Sequence, residues 1–268
     1  MRVAIALKSV LLHALCIVSI PFGTPVIADE ADDKGMAIAT KVDQQDQGWS
    51  DMKASLEMIL KNAQGQESRR QLRLSSLEMT NDGDKTLTVF DSPRDITGTA
   101  LLSYTHALTP DDQWLYLPAL KRIKRIASAN KSGPFVGSEF AYEDLTSNEL
   151  PKYHYRWLRD DELDQRAVHV LEETPAYEYS GYTRRVVWID QARLQPLKVE
   201  FYDRKNALLK TLTLTDYQQY LDHYWRASSM TMVNHQTNKS TVLTWSQYTF
   251  KSGLTERDFD QATLQRVR

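Results

Sequence analysis

Apolar and polar residues alternate along most of this chain. Over residues 52–61, Met52, Ala54, Leu56, Met58 and Leu60 alternate with Lys53, Ser55, Glu57 and Lys61, and only Ile59 breaks the pattern. A period of two over that length predicts a strand with one dry and one wet face. Residues 70–79 alternate as well, but Leu72 and Leu74 are in one phase and Leu77 and Met79 in the other. That slip predicts a bulge at Ser75-Ser76. Asn81-Asp82-Gly83-Asp84 reads as a turn, and Leu87 and Val89 alternate with threonines after it, which predicts a hairpin. Ahead of these strands, residues 29–47 open with acidic side chains and continue with Met36, Ala37, Ala39 and Val42. An acidic start complements a helix dipole, so a helix is expected there, ended by Gly48.

Further strands fit residues 99–106, 113–117, 153–158, 166–172, 182–190, 196–203, 208–217, 223–233 and 240–250, joined by short turns. Many strands at close spacing imply one large antiparallel sheet, and a sheet this wide must curl or close to hide its dry face. The predicted fold class is mainly β with a few helices: a large antiparallel sheet curled into an unclosed half-barrel with a helical lid. An outer-membrane barrel fits less well. Several expected strands are shorter than the ~9–11 residues a tilted membrane strand needs, and Gln265-Arg266-Val267-Arg268 reads as a polar tail or short helix.

The N-terminus changes the picture by assigning a compartment. Arg2 and Lys8 precede an apolar core near residues 10–20, helix breakers follow, and Val26-Ile27-Ala28 offers a cleavage site before Asp29. This predicts a cleaved signal peptide over 1–28 and one exported domain over 29–268. The core is too short to span a bilayer, which takes ~20 residues. Cys16, the chain's one cysteine, lies inside that leader, so the mature protein is expected to have no disulfide, thiol nucleophile or cysteine metal site. Losing Arg2 and Lys8 moves the formal charge from −2 to −4. An acidic chain argues against general nucleic-acid binding, which depends on neutralising phosphates.

The motifs of common chemistry are missing. There is no G-x-S-x-G, H-E-x-x-H, phosphate-binding glycine loop or EF-hand loop, and the histidines are scattered. Glu143-Asp144 is a carboxylate pair, but adjacent residues point in different directions and do not by themselves make an acid–base site. No catalytic residue, metal ligand or cofactor is therefore expected. What remains is apolar bulk: six tryptophans, thirteen tyrosines and seven methionines. Aromatics and methionines conform to irregular apolar partners. Half-barrels tend to enclose space, so Leu56, Met58, Leu72, Leu74, Val89, Leu212 and Leu214 are expected to line an apolar cavity.

The most uneven composition lies in LPALKRIKRIASANKSGPFVGSEFAYEDL. As a strand, residues 121–126 would carry charge on both faces, which suits an edge or rim. Lys121, Arg122, Lys124 and Arg125 are expected to meet an anionic surface, a membrane or a partner protein. Phe135 is expected either to pack under its loop or to be an apolar tip between Gly133 and Gly137 that meets the partner surface, with Phe140 and Tyr142 lining the mouth of the cavity.

The block DDQWLYLPALKRIKRIASANKSGPFVGSEFAYEDL resembles the signature of the outer-membrane lipoprotein-sorting protein family, the LolA-like periplasmic proteins, and GLTERDFDQATLQRVR is similar to that family's C-terminus. The resemblance spans essentially the whole mature chain. It implies an unclosed antiparallel barrel with a helical lid, located in the periplasm and holding lipid or lipoprotein acyl chains in an apolar cavity. It also implies transient membrane contact and partnership with a membrane transporter of the resistance-nodulation-division (RND) family. Two other readings stay open: a non-enzymatic envelope sensor or adaptor that binds lipoprotein or lipid, and an envelope hydrolase.

Overall fold

The computed structural model describes residues 29–267; the expected leader, with Cys16, lies outside the described residues. Helix α1 runs Glu30–Gln45, and Asp29 at its N-cap accepts a hydrogen bond from the Ala31 N–H. The strands are β1 Asp51–Lys61, β2 Glu67–Leu77, β3 Lys85–Ser92, β4 Ala100–Tyr104, β5 Asp112–Leu117 and β6 Arg122–Ile126. After a long irregular stretch come β7 Tyr153–Leu163, β8 Arg166–Pro175, β9 Tyr182–Asp190 and β10 Pro196–Asp203. The last three are β11 Leu208–Tyr220, β12 Tyr224–Asn234 and β13 Lys239–Phe250.

All thirteen strands form one antiparallel sheet, ordered β6-β5-β4-β3-β2-β1-β13-β12-β11-β10-β9-β8-β7. Every neighbour in it is next in sequence except β1 and β13, which pair across the middle. The sheet does not close. Its two free edges, β6 and β7, are consecutive in the chain. The connection between them, residues 127–152, must therefore cross the open side of the curl, and here it is called the strap. It consists of short 3₁₀ turns, and it shares the lid role with α1, which packs on β7 at one edge. Gly35 permits that packing, because a Cβ there would stand 2.7 Å from the backbone nitrogen of Trp157. No helix among the described residues is long and apolar enough to cross a membrane.

One local expectation is corrected and another is resolved. The ladder through Ser75 and Ser76 is regular against β1, and the irregularity falls instead at Gln71/Leu72 against β3. Leu72, Leu74 and Ser76 thus stay on one face, and Leu77 belongs to the other. The C-terminal segment takes the short-helix form of the two expected, and it is docked rather than free. Its turns Glu256–Phe259 and Gln261–Gln265 bury Phe259 and Leu264 completely against the outer face of β3 and β4. The shortest strands are β4, β5 and β6, of 5, 6 and 5 residues.

Candidate functional site: an apolar cavity under a strap

The concave face is built by cross-strand matching. Trp245, Leu56, Leu72 and Phe90 are consecutive partners across β13, β1, β2 and β3. Val187, Val199, Leu212 and Met232 are partners across β9 to β12. Side chains on one pleat of a curled sheet converge, so these rows form one continuous apolar lining.

The strap fills part of that hollow. Phe135 is 1 % exposed and Phe140 3 %, both packed in the main core with Leu56, Met58 and Leu72. The Phe135 ring lies 5.6 Å from Phe90 and 5.8 Å from Tyr142. The sheet holds the strap by polar contacts along its length. Arg70 Nη1 donates to the Val136 carbonyl at 2.6 Å, and Gln113 Nε2 to that of Tyr142 at 3.0 Å. Lys210 Nζ donates to the Glu139 carbonyl and, at 2.6 Å, to Asp144. Glu143 accepts from Tyr177, Ser180 and the Gly181 N–H. Burial, and then neighbouring Asp144, raise its pKa, while those three donors oppose the rise. The adjacent carboxylates are thus anchors for the strap. Both strap ends converge on Asp111, which accepts from Lys131 Nζ at 3.2 Å and Lys152 Nζ at 2.6 Å.

Beyond the strap a cavity of about 530 Å³ stays open, within the range typical of small-molecule sites. Leu74, Leu212 and Leu214 line it, together with Val187, Val199 and Leu243. Met230, Trp49, Trp225 and Trp245 line it as well. Of the expected lining set, Leu56, Met58 and Leu72 share the concave face but lie in the core against the strap. Val89 is a correction. It packs with Ala100, Leu102, Phe259 and Leu264 on the outer face, and its neighbours Thr86 and Thr88 face the cavity instead. Alternation identified two faces on β3 but could not say which was inside, because the C-terminal turns make the outer face dry too. The tryptophans and Met230 went unassigned although the composition had singled out their types; nothing in single-strand periodicity brings β1, β12 and β13 together.

One end of the cavity is polar. Asp46, Asp84, Glu173 and Trp49 border both the cavity and an adjoining vestibule of about 740 Å³ next to α1. Burial, reinforced by Glu149, Glu78 and Asp46, pushes the Asp84 carboxyl up to about 7. Burial also raises Asp46, against the pull of Arg226. Among the described residues no group of His, Cys, Asp or Glu converges tightly enough to hold a metal ion.

The basic cluster sits where an edge was expected. Strand β6 is a free edge; Arg122, Lys124 and Arg125 are exposed on it, and Lys121 precedes it in the left-handed region at φ 49°. Arg125 pairs with Asp112, whereas Lys121, Arg122 and Lys124 form no ion pair among the described residues. The apolar tip beside them is not Phe135, which is core, and Tyr142 is half-buried beneath it. The exposed apolar residue at this corner is Leu120, 63 % exposed at the turn between β5 and β6. A turn Leu flanked by lysine and arginine carried that signal in the sequence.

Comparisons with known proteins agree with this geometry. A family model described as an uncharacterized protein matches residues 82–266. The chain is 58 % identical to a solved domain from Vibrio parahaemolyticus assigned to the outer membrane lipoprotein-sorting proteins, covering 88 % of this chain and 100 % of that one, with a TM-score of 0.86. A DUF1329 family protein from Desulfovibrio piger is similar at 26 % identity and TM-score 0.83, over 88 % of this chain and 100 % of that one. A LolA superfamily protein from Nitrosomonas europaea shares the fold at 20 % identity and TM-score 0.68, over 85 % and 98 % of the two chains. Among curated proteins nothing matches.

Proposed function

From the premise that the chain belongs to the family of outer membrane lipoprotein-sorting, LolA-like proteins, we propose that it carries lipid or the acyl chains of lipidated protein through the periplasm. The supporting observation is the apolar cavity of about 530 Å³ between the concave face and the strap. A cavity lined by Leu, Val, Met and Trp stabilises a hydrocarbon chain by removing it from water, by about 0.8 kcal/mol for each methylene buried. The curled sheet holds the walls apart. The strap and α1 cover the opening, with Phe140 and Leu145 of the strap and Val42 of α1 lining the cavity.

Delivery requires docking on a membrane or a transporter, and the family resemblance makes an RND-type transporter the proposed partner. The exposed β6 edge with Leu120 is the proposed contact. Exposed basic residues near an anionic membrane contribute on the order of 1 kcal/mol each, whereas surface ion pairs contribute less than about 1 kcal/mol to a fold. Replacing Lys121, Arg122, Lys124 and Arg125 together by Gln is therefore expected to leave Tm nearly unchanged and to weaken attachment to anionic vesicles. Molar salt should mimic that loss, because the Debye length falls to about 3 Å. Leu120→Ser should remove a part of the binding that salt does not touch. Normal vesicle binding by the Gln variant at low salt would assign the cluster to edge protection alone.

The carrier reading itself is tested by native mass spectrometry, with lipid extraction, on protein purified from its own periplasm. The expected result is an adduct of lipid mass released on denaturation. A substrate lipid that returns cleaved after incubation would favour a hydrolase instead.

A further inference from the structure

The last rungs of the β11–β12 hairpin stand clear of the sheet ladder. β10 pairs with β11 over residues 208–213, and β13 pairs with β12 over residues 229–234. The four rungs from Tyr217/Ala227 to Tyr220/Tyr224 therefore have no strand paired to them on either side. The turn at their end is made of residues that do not favour it. The His223 N–H donates to the Tyr220 carbonyl at 3.0 Å, and the two residues between them, Leu221 and Asp222, have φ of 51° and 56°. Two left-handed central residues mark a type I′ turn, which Asn-Gly forms readily. Leucine is unfavourable there because its Cβ crowds the following carbonyl. Leu221 is also 49 % exposed, so packing does little to offset that cost. A scattered surface leucine needs no explanation, but one held in an unfavourable backbone state does. A row of rings leads from this tip to the cavity. The Tyr220 ring lies 5.0 Å from Tyr248, and Tyr248 stacks on Trp245 at 5.9 Å with the rings 9° from parallel. Trp245 lines the cavity, as do Trp225 and Tyr217 of the hairpin itself. Tyr224 braces the hairpin, since its hydroxyl donates to the Gln47 carbonyl just beyond α1 at 3.1 Å.

We infer that the β11–β12 tip is a membrane anchor: Leu221 enters the acyl boundary of a bilayer, Tyr220 and Trp225 lie at headgroup level, and a lipid chain leaving the bilayer there follows Tyr220, Tyr248 and Trp245 into the cavity. Tyrosine and tryptophan suit that layer because one end of each ring is apolar and the other carries a polar group. From Tyr217 to Trp225 the one formally charged side chain is Asp222. A tip with a single carboxylate has no attraction to anionic lipid or to an acidic partner, so it binds by apolar insertion, which salt does not screen. The carboxylate stays hydrated among the headgroups and keeps the insertion shallow. This contact is separate from the basic β6 edge. The path for the lipid rests on the carrier reading; the anchor does not.

The chain from Asp29 onward has no cysteine, so Leu221→Cys can carry a single environment-sensitive dye. Mixed with phosphatidylcholine vesicles in about 1 M salt, where the basic edge is screened, the dye's emission is expected to shift to the blue. The same dye on Gln64→Cys, exposed in the β1–β2 turn, should not shift. The double variant Leu221→Asn, Asp222→Gly supplies the residues that a type I′ turn favours. It should melt at a higher temperature than the parent and bind the vesicles at least about tenfold more weakly, the loss expected when one leucine no longer leaves water. Uptake of lipid from the vesicles should slow with it, and uptake at the parent's rate would overturn the proposed path. A dye at position 221 that stays unshifted, or a variant that binds the vesicles as the parent does, overturns the anchor. A lower melting temperature would show that Leu221 serves the fold and would overturn it too. A blue shift with detergent-extracted envelope protein but not with vesicles would assign the tip to a protein and overturn the bilayer. Insertion and melting are read without cargo, so the carrier reading stands or falls separately, on the lipid recovered from the purified protein.

Discussion

Asp111→Ala is expected to cost about 3–5 kcal/mol of stability, because it strips two buried lysines of their shared counter-charge. The side chains of Lys131 and Lys152 are each 8 % exposed and that of Asp111 2 %. Burial already lowers the pKa of Lys152, and Asp111 is what opposes it. Removing the carboxylate leaves two ammonium groups facing each other out of water. Chemical denaturation should show the loss as a lower midpoint with the slope nearly kept. The triad also pins both ends of the strap, so the amide protons of Phe135, Ser138 and Tyr142, bonded within the strap, should exchange faster in the variant than those of β12 and β13. Double replacement of Lys131 and Lys152 by Met, together with Asp111→Ala, should recover much of the stability, since an apolar set of similar volume avoids desolvating the ions. An Asp111→Ala variant within about 0.5 kcal/mol of the parent would show that the strap is held by its other contacts.

The second large effect is on loading. Leu74→Trp with Leu214→Trp adds bulk at two points of the cavity wall, on β2 and β11. Displacing only two methylenes of a bound chain forfeits about 1.6 kcal/mol at 0.8 kcal/mol each, which is more than tenfold in affinity. Overpacking typically costs about 1–3 kcal/mol of stability, and an open cavity absorbs added bulk more readily than a filled core does. Lipid recovered from the purified double variant should fall by at least about tenfold while its circular dichroism stays that of the parent. The same substitution at Val89 provides the contrast: Val89→Trp intrudes between β3 and the C-terminal turns, so it should destabilise the fold and leave loading per folded molecule intact. Undiminished loading in the Leu74/Leu214 variant would place the acyl chain elsewhere.

The extent of the β-structure and its antiparallel order were legible because strand alternation is a local property: each pleat writes its own period into the sequence, and Asn81-Asp82-Gly83-Asp84 announces its turn on the spot. The basic edge was legible for the same reason, since charge on both faces of residues 122–125 is incompatible with a covered strand. The helix start at Asp29 needed only its own acidic turn. Which face of β3 is inside was not local. Val89 and Thr88 exchanged their expected roles because residues far along the chain, Phe259 and Leu264, dried the outer face. For Phe135 the sequence left two places open, a tip and a side chain packed under its loop, and the choice follows only from β6 and β7 being opposite edges, so that the strap between them must cross the hollow. The sequence by itself determined one wide antiparallel sheet with a cationic edge, since periodicity and charge act over a few residues. Only the tertiary structure decided where the hollow is filled, where it stays open and which carboxylates meet at its mouth, because those outcomes depend on contacts between elements up to two hundred residues apart, such as Ser252 on Asp51.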